Sequence, residues 1–123
     1  MTEKSLFCGI NNPVNALDLT DMEKKHVPVI EAPDTVTAGE AFEVTIKVGS
    51  TPHVMEVAHH IQWIDLYSGG NFITKVILTP VFMTAKATIN MVKSGAHETA
   101  TLRAVIRCNV HGMWEVEKGI TVK

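Results

Sequence analysis

From residue 29 onward the chain consists of short runs rich in Val, Ile and Thr, broken at close intervals by Gly, Pro, Asn and Ser. Such punctuation leaves little room for amphipathic helices and predicts an all-β fold. Glu43-Val44-Thr45-Ile46-Lys47-Val48 alternates apolar and polar, and Thr101-Leu102-Arg103-Ala104-Val105-Ile106 does so for most of its length, so each reads as a half-buried strand. Ser68-Gly69-Gly70-Asn71 reads as a hairpin turn between Trp63-Ile64-Asp65-Leu66-Tyr67 and Phe72-Ile73-Thr74-Lys75-Val76. Further strands are expected over residues 82–91 and 119–123, with turns near Ala32-Pro33-Asp34 and Lys93-Ser94-Gly95. About seven strands predict an immunoglobulin-like seven-stranded β-sandwich with an irregular N-terminal segment. In that segment Asn11-Asn12-Pro13 is a turn, and residues 15–25 form a short helix or a loop. The expectation is a single domain over 1–123, with 1–24 an extension and loop and 25–123 the sandwich.

A chain of 123 residues is long enough to bury a core without disulfide or metal staples. Its formal charge of -2, with no basic stripe, argues against general nucleic-acid binding. Residues 1–12 lack the apolar centre of a signal peptide, and no run is long enough to span a bilayer, so the expected location is the cytoplasm. Two cysteines, Cys8 and Cys108, are too few for a disulfide framework. Both are expected as thiols, with Cys8 packed as a small apolar residue.

The chemistry concentrates in Cys108-Asn109-Val110-His111-Gly112-Met113-Trp114, where a soft thiolate and an imidazole three residues apart can hold one metal from one turn. A lone C-x-x-H is weak evidence. Upstream, however, stand His26, His53 and His59, each in or beside a strand-like segment. Imidazole nitrogen and thiolate sulfur suit zinc, copper and iron, and no cluster offers the oxygen ligands of calcium or magnesium. His59 and His60 are neighbours, so in a strand only one faces a given site, and spacing does not choose between them. His97 reads as a surface turn residue, and Trp63 and Trp114 as core or site-lining aromatics. Taken singly, each Cys or His has a bland reading as a small core hydrophobe or a hydrogen-bonded surface group; it is their number that favours a metal. Lys24 and Lys25 directly precede His26 and would draw a small anion toward a metal there; the alternative is a solvated charge run with Glu23.

These residues resemble the superoxide reductases of the one-iron, neelaredoxin type, related to the iron-binding domain of desulfoferrodoxin. The resemblance runs through Lys25-His26-Val27-Pro28, then His53 with His59-His60-Ile61-Gln62-Trp63-Ile64, then Cys108 to Trp114, in the family's order and approximate spacing. It implies one iron per chain, held by His26, His53, His59 and His111 with an axial thiolate from Cys108, and it selects His59 over His60. It also implies one-electron reduction of superoxide to hydrogen peroxide without release of dioxygen, with electrons from rubredoxin or a similar donor. A homo-oligomer, often a tetramer, belongs to the same expectation. A thiolate opposite the substrate position donates charge into iron and favours its oxidation. Lys25 is the matching candidate for steering superoxide or orienting a proton-donating water.

The chain also departs from the pattern. Where the family has Glu-Lys-His, this sequence has Lys24-Lys25-His26, and Glu23 lies one residue further away. Glu23 is expected to close the iron site weakly or through an altered loop. The proline usual after the second histidine is replaced by Val54, with Pro52 on the other side. A four-cysteine iron module is lacking, so one iron site is expected. The main rival is a blue-copper electron carrier using His, Cys and His with Met113 as weak axial ligand; it leaves the fourth histidine unused. A third reading, a metal-free immunoglobulin-like binding module, makes the ligand pattern a coincidence.

Overall fold

The computed structural model describes residues 5–95 and 98–123, so His97 lies outside the described residues. Among the described residues, nine strands and one short helix follow in the order β1 (Ile10–Asn11), α1 (Asp21–His26), β2 (Pro28–Glu31), β3 (Thr35–Val36), β4 (Phe42–Val48), β5 (Ile61–Ser68), β6 (Asn71–Ile77), β7 (Lys86–Met91), β8 (Glu98–Cys108) and β9 (Gly112–Val122). Two of these have two residues each, which leaves seven longer strands. One sheet has the order β1-β9-β8-β5-β6, with β3 also on β9; the other has the order β2-β4-β7.

Alternation explains the layering. Val44, Ile46 and Val48 of β4 point inward, as do Leu102, Ala104, Ile106 and Cys108 of β8. The two inner faces meet with Ile61, Ile64 and Leu66 of β5 and Ile120 and Val122 of β9 in one apolar cluster. The same period of two carries Cys108, at the last position of β8, into the end of the core, where it is fully buried.

The expected hairpin is present, with β5 and β6 paired antiparallel through Ser68↔Asn71. Several details differ from expectation. The strand expected over 119–123 is the end of an unbroken β9 that pairs with β8 from Cys108↔Gly112 to Glu98↔Val122. The strand expected from residue 82 begins at Lys86, because residues 80–83 form a turn in which Val81 takes φ 73° and donates its N–H to Met55 O at 2.7 Å. Within the segment read as an extension, β1 pairs parallel with β9 through Ile10↔Met113 and Asn11↔Trp114. Cys8 is exposed and lies outside the core, contrary to the expectation that it packs as a small apolar residue.

Candidate metal centre

The histidines of interest sit at the end of the helix and in the loops that flank the strands. His26 closes α1, a helix begun by a capping box in which Thr20 Oγ1 accepts from Glu23 N while Glu23 Oε1 accepts from Thr20 N at 2.8 Å. His53 lies in the loop after β4, and its N–H donates to Val48 O at 3.3 Å. His59 stands two residues before β5, and Cys108 and His111 flank the tight turn between β8 and β9. Gly112 is needed in that turn: it has φ 80°, and a Cβ there would run into Leu6 O.

These five side chains converge. One ligand atom from each of His26, His59, Cys108 and His111 lies within 4.8 Å of the others. His53 joins them, its Nε2 standing 3.2 Å from His26 Nε2 and 3.7 Å from Cys108 Sγ, while His111 Nδ1 is also 3.7 Å from Sγ. The four imidazoles form a near-square. Neighbouring ring centroids are 4.8 Å apart for His26–His53, 4.7 Å for His53–His59, 5.1 Å for His59–His111 and 4.7 Å for His26–His111, each pair edge to face. The His26–His59 diagonal is longer, 6.4 Å, with the two rings nearly parallel. His60, by contrast, turns its Nδ1 to Glu56 O and takes no part.

The tautomers suit a metal. Nδ1 of His26 donates to Met22 O at 2.8 Å and Nδ1 of His53 to Val54 O at 2.7 Å, which leaves each Nε2 lone pair facing the centre. His59 Nε2 is buried without a hydrogen-bond partner among the described residues. An orphaned buried nitrogen beside other ring nitrogens and a sulfur is the signature of a site completed by a cation. Three of the imidazoles also resist protonation: burial pushes His26 down to about 4, aided by the neighbouring imidazoles, and burial likewise lowers His53 and His111. Trp114 stacks on the His26 ring at 5.3 Å and donates Nε1–H to His111 O at 3.0 Å, bracing two of the imidazoles. Among the described residues no backbone N–H donates to Cys108 Sγ.

A cleft of about 390 Å³ opens onto the four imidazoles and is lined also by Asp21, Met22, Lys25, Pro52 and Val54. Cys108 is absent from its wall, so the sulfur lies behind the imidazole square and the cleft in front of it. Lys25 reaches this cleft; Lys24 is exposed and does not line it. Glu23 does not line it either. Its two oxygens are taken by Thr20 N at 2.8 Å and Val14 N at 3.1 Å, and these bonds hold its carboxyl below the usual range. The closing role expected of Glu23 therefore competes with its role as a helix cap. The cap is readable in the sequence as Thr20-x-x-Glu23, the spacing of a capping box.

The model of the family described as desulfoferrodoxin matches residues 18–117, which span α1, all four imidazoles and the Cys108 turn. The chain belongs to the desulfoferrodoxin family. Over 119 residues it is 46% identical to a relative from Methanocaldococcus jannaschii, covering 95% of this chain and 97% of that one. It is 35% identical over 103 residues to a superoxide reductase of Pyrococcus horikoshii, covering 76% and 85%. Among solved structures, the superoxide reductase (neelaredoxin) from Ignicoccus hospitalis superposes with a TM-score of 0.78 at 32% identity, covering 93% of this chain and 95% of that one. This desulfoferrodoxin-family chain thus keeps the family's fold over nearly its whole length.

Proposed function

We propose that the protein is a superoxide reductase, reducing superoxide by one electron to hydrogen peroxide without releasing dioxygen. The observation that carries the reading is the near-square of four imidazoles with Cys108 Sγ behind it and a cleft in front. We propose His26, His53, His59, His111 and Cys108 as the ligands of one iron per chain. Bound there, iron supplies the electron, and the thiolate raises its tendency to give that electron up.

The chain's own residues then have separable tasks. Met22 O and Val54 O fix the donor nitrogens of His26 and His53. The cleft onto the imidazole square offers a path of approach, with the sulfur buried away from its wall. There Lys25, in the cleft wall, offers a positive charge to an incoming anion, and its ammonium would donate a hydrogen bond to it or hold a proton-bearing water. Lys24, exposed on the same helix, adds to the field without entering the cleft. Asp21 on the rim opposes Lys25, so the cleft wall carries one acid and one lysine, with Lys24 outside it.

The reading extends to rubredoxin or a similar protein as electron donor, to a homo-oligomer with a tetramer favoured, and to a cytoplasmic location. No helix among the described residues is long and apolar enough to cross a membrane. A blue-copper site would use two imidazoles and one thiolate, whereas four imidazoles converge here. The test is rapid-mixing kinetics of the iron-loaded, reduced protein with superoxide. Bleaching of superoxide with formation of peroxide and no dioxygen supports the proposal; dioxygen as a stoichiometric product, or no reaction, overturns it.

A further inference from the structure

The pairing of β5 with β8 stops at Ile61↔Cys108, immediately before each strand reaches a residue that matters: His59 lies two residues upstream of Ile61, and the turn to His111 follows Cys108. The ladder is already irregular there, with a register shift between Ile61 and Trp63. Beyond that point nothing in the sheet fixes the His59 loop against the Cys108 turn. Residues 56–59 form a small closed turn of their own, through Glu56 N to His59 O and His59 N to Glu56 O.

Asn109 fills the gap. Its backbone N–H donates to His60 O at 3.1 Å, its Oδ1 accepts from His60 N at 2.8 Å, and its Nδ2 donates to Ala58 O at 3.0 Å. A side-chain amide has the donor and acceptor of a peptide unit, so Asn109 continues the ladder past the strand end and grips the chain on both sides of His59. His26 and His53 are oriented through their own Nδ1 hydrogen bonds, whereas among the described residues the His59 ring makes no hydrogen bond and rests against the neighbouring imidazoles. The placement of His59 therefore falls to its backbone, and its backbone falls to the residue next to Cys108.

We propose that Asn109 is the positioning residue of the site, a clamp that sets His59 against the Cys108 sulfur. The proposal rests on the ligand reading above, and it concerns a residue that touches neither metal nor substrate. Loosening the clamp lets His59 drift relative to sulfur while His26, His53 and His111 stay braced, so one nitrogen of the set is misplaced. Loss of a group that orients a metal ligand typically weakens metal affinity about 10–100-fold.

The experiment titrates metal-free wild type, Asn109→Ala and Asn109→Asp with iron(II) and with cobalt(II), against a competing chelator, and records the sulfur-to-metal absorption of each complex. Cobalt(II) reads the site without superoxide chemistry. The clamp predicts affinities about 10–100-fold weaker for Asn109→Ala with a displaced band, while the circular dichroism of the metal-free protein stays native. Asn109→Asp keeps the acceptor for His60 N, loses the donor to Ala58 O and falls between. If Asn109→Ala does not fold, Asn109→Asp is read alone on the same criteria. Wild-type affinity and an unmoved band in the folded variant overturn the clamp while leaving the ligand set standing. Failure of wild type to bind either metal through sulfur overturns both.

Discussion

Gly49 offers the sharpest structural prediction, because it lies outside the metal cluster yet shapes it. It sits just after β4 with φ 84°, and a Cβ there would strike Thr51 O, Lys24 O at 2.6 Å and Lys25 O at 2.8 Å. Those last two carbonyls directly precede His26, and Thr51 N–H donates to Lys24 O at 3.1 Å across the same contact. In Gly49→Ala the left-handed backbone costs about 1–2 kcal/mol. Displacing packed backbone adds about 1–3 kcal/mol, for a total of roughly 2–5 kcal/mol. For a domain of this size each kcal/mol moves Tm by about 3–5 °C, so the metal-free variant should melt at least about 6 °C below wild type. Iron(II) affinity should fall as well, because the end of α1 that carries His26 and Lys25 is pushed outward. Gly119→Ala is the control: a Cβ there meets nothing within 4 Å, so stability should stay within about 1 kcal/mol. Thermal denaturation by circular dichroism, with chelator competition for metal, measures both. A Gly49→Ala protein that melts within about 2 °C of wild type and binds iron normally would refute the close approach.

Other perturbations separate the remaining roles. Lys25→Ala should leave iron bound but slow superoxide capture and flatten its dependence on ionic strength; a variant with the wild-type rate and the wild-type salt dependence in stopped flow would remove the steering role. Glu23→Ala should lower stability through the lost cap and leave the ferric spectrum unchanged, whereas an altered ferric spectrum would show that the carboxylate leaves Thr20 and Val14 to reach the metal. In the metal-free protein His26 is pushed down to about 4 from an unfolded value near 6.5, so the unfolded chain binds more protons between these values. Stability is therefore full above about pH 6.5 and falls toward pH 4, by at most about 3 kcal/mol from this group. Urea melts that show no loss between about pH 7 and pH 4.5 would contradict the burial of the cluster.

How much of this was legible in the sequence depended on whether the signal was local. The alternation in β4 and β8 and the glycine turn between β5 and β6 are carried by neighbouring residues, and those strands stand where the pattern puts them. The first half of β9 was not legible, because Gly112-Met113-Trp114 read as part of a ligand motif and Glu115, Glu117 and Lys118 gave its middle a polar look. Pairing with β8 across all eleven residues, rather than propensity, holds it straight. β1 and β3 are two residues long and exist only because β9 presents a free edge to them. The five converging side chains were named in the sequence, His59 in preference to His60 only through the family resemblance, but the sequence did not show how they are braced. Nδ1 bonds to Met22 O and Val54 O and the Trp114 stack are contacts between distant or backbone groups. Asn109 carried no signal of its own, since an amide in a tight turn after a strand needs no further explanation.

The metal itself is the most direct thing to measure. The measurement is the iron content and visible spectrum of purified wild type and Cys108→Ser, each recorded reduced and then oxidised. The convergence of four imidazoles on a buried sulfur predicts about one iron per chain in wild type, nearly colourless when reduced and blue when oxidised, with the blue absorption lost in Cys108→Ser. Persistence of the band in Cys108→Ser, or a blue copper centre without iron, would contradict the account.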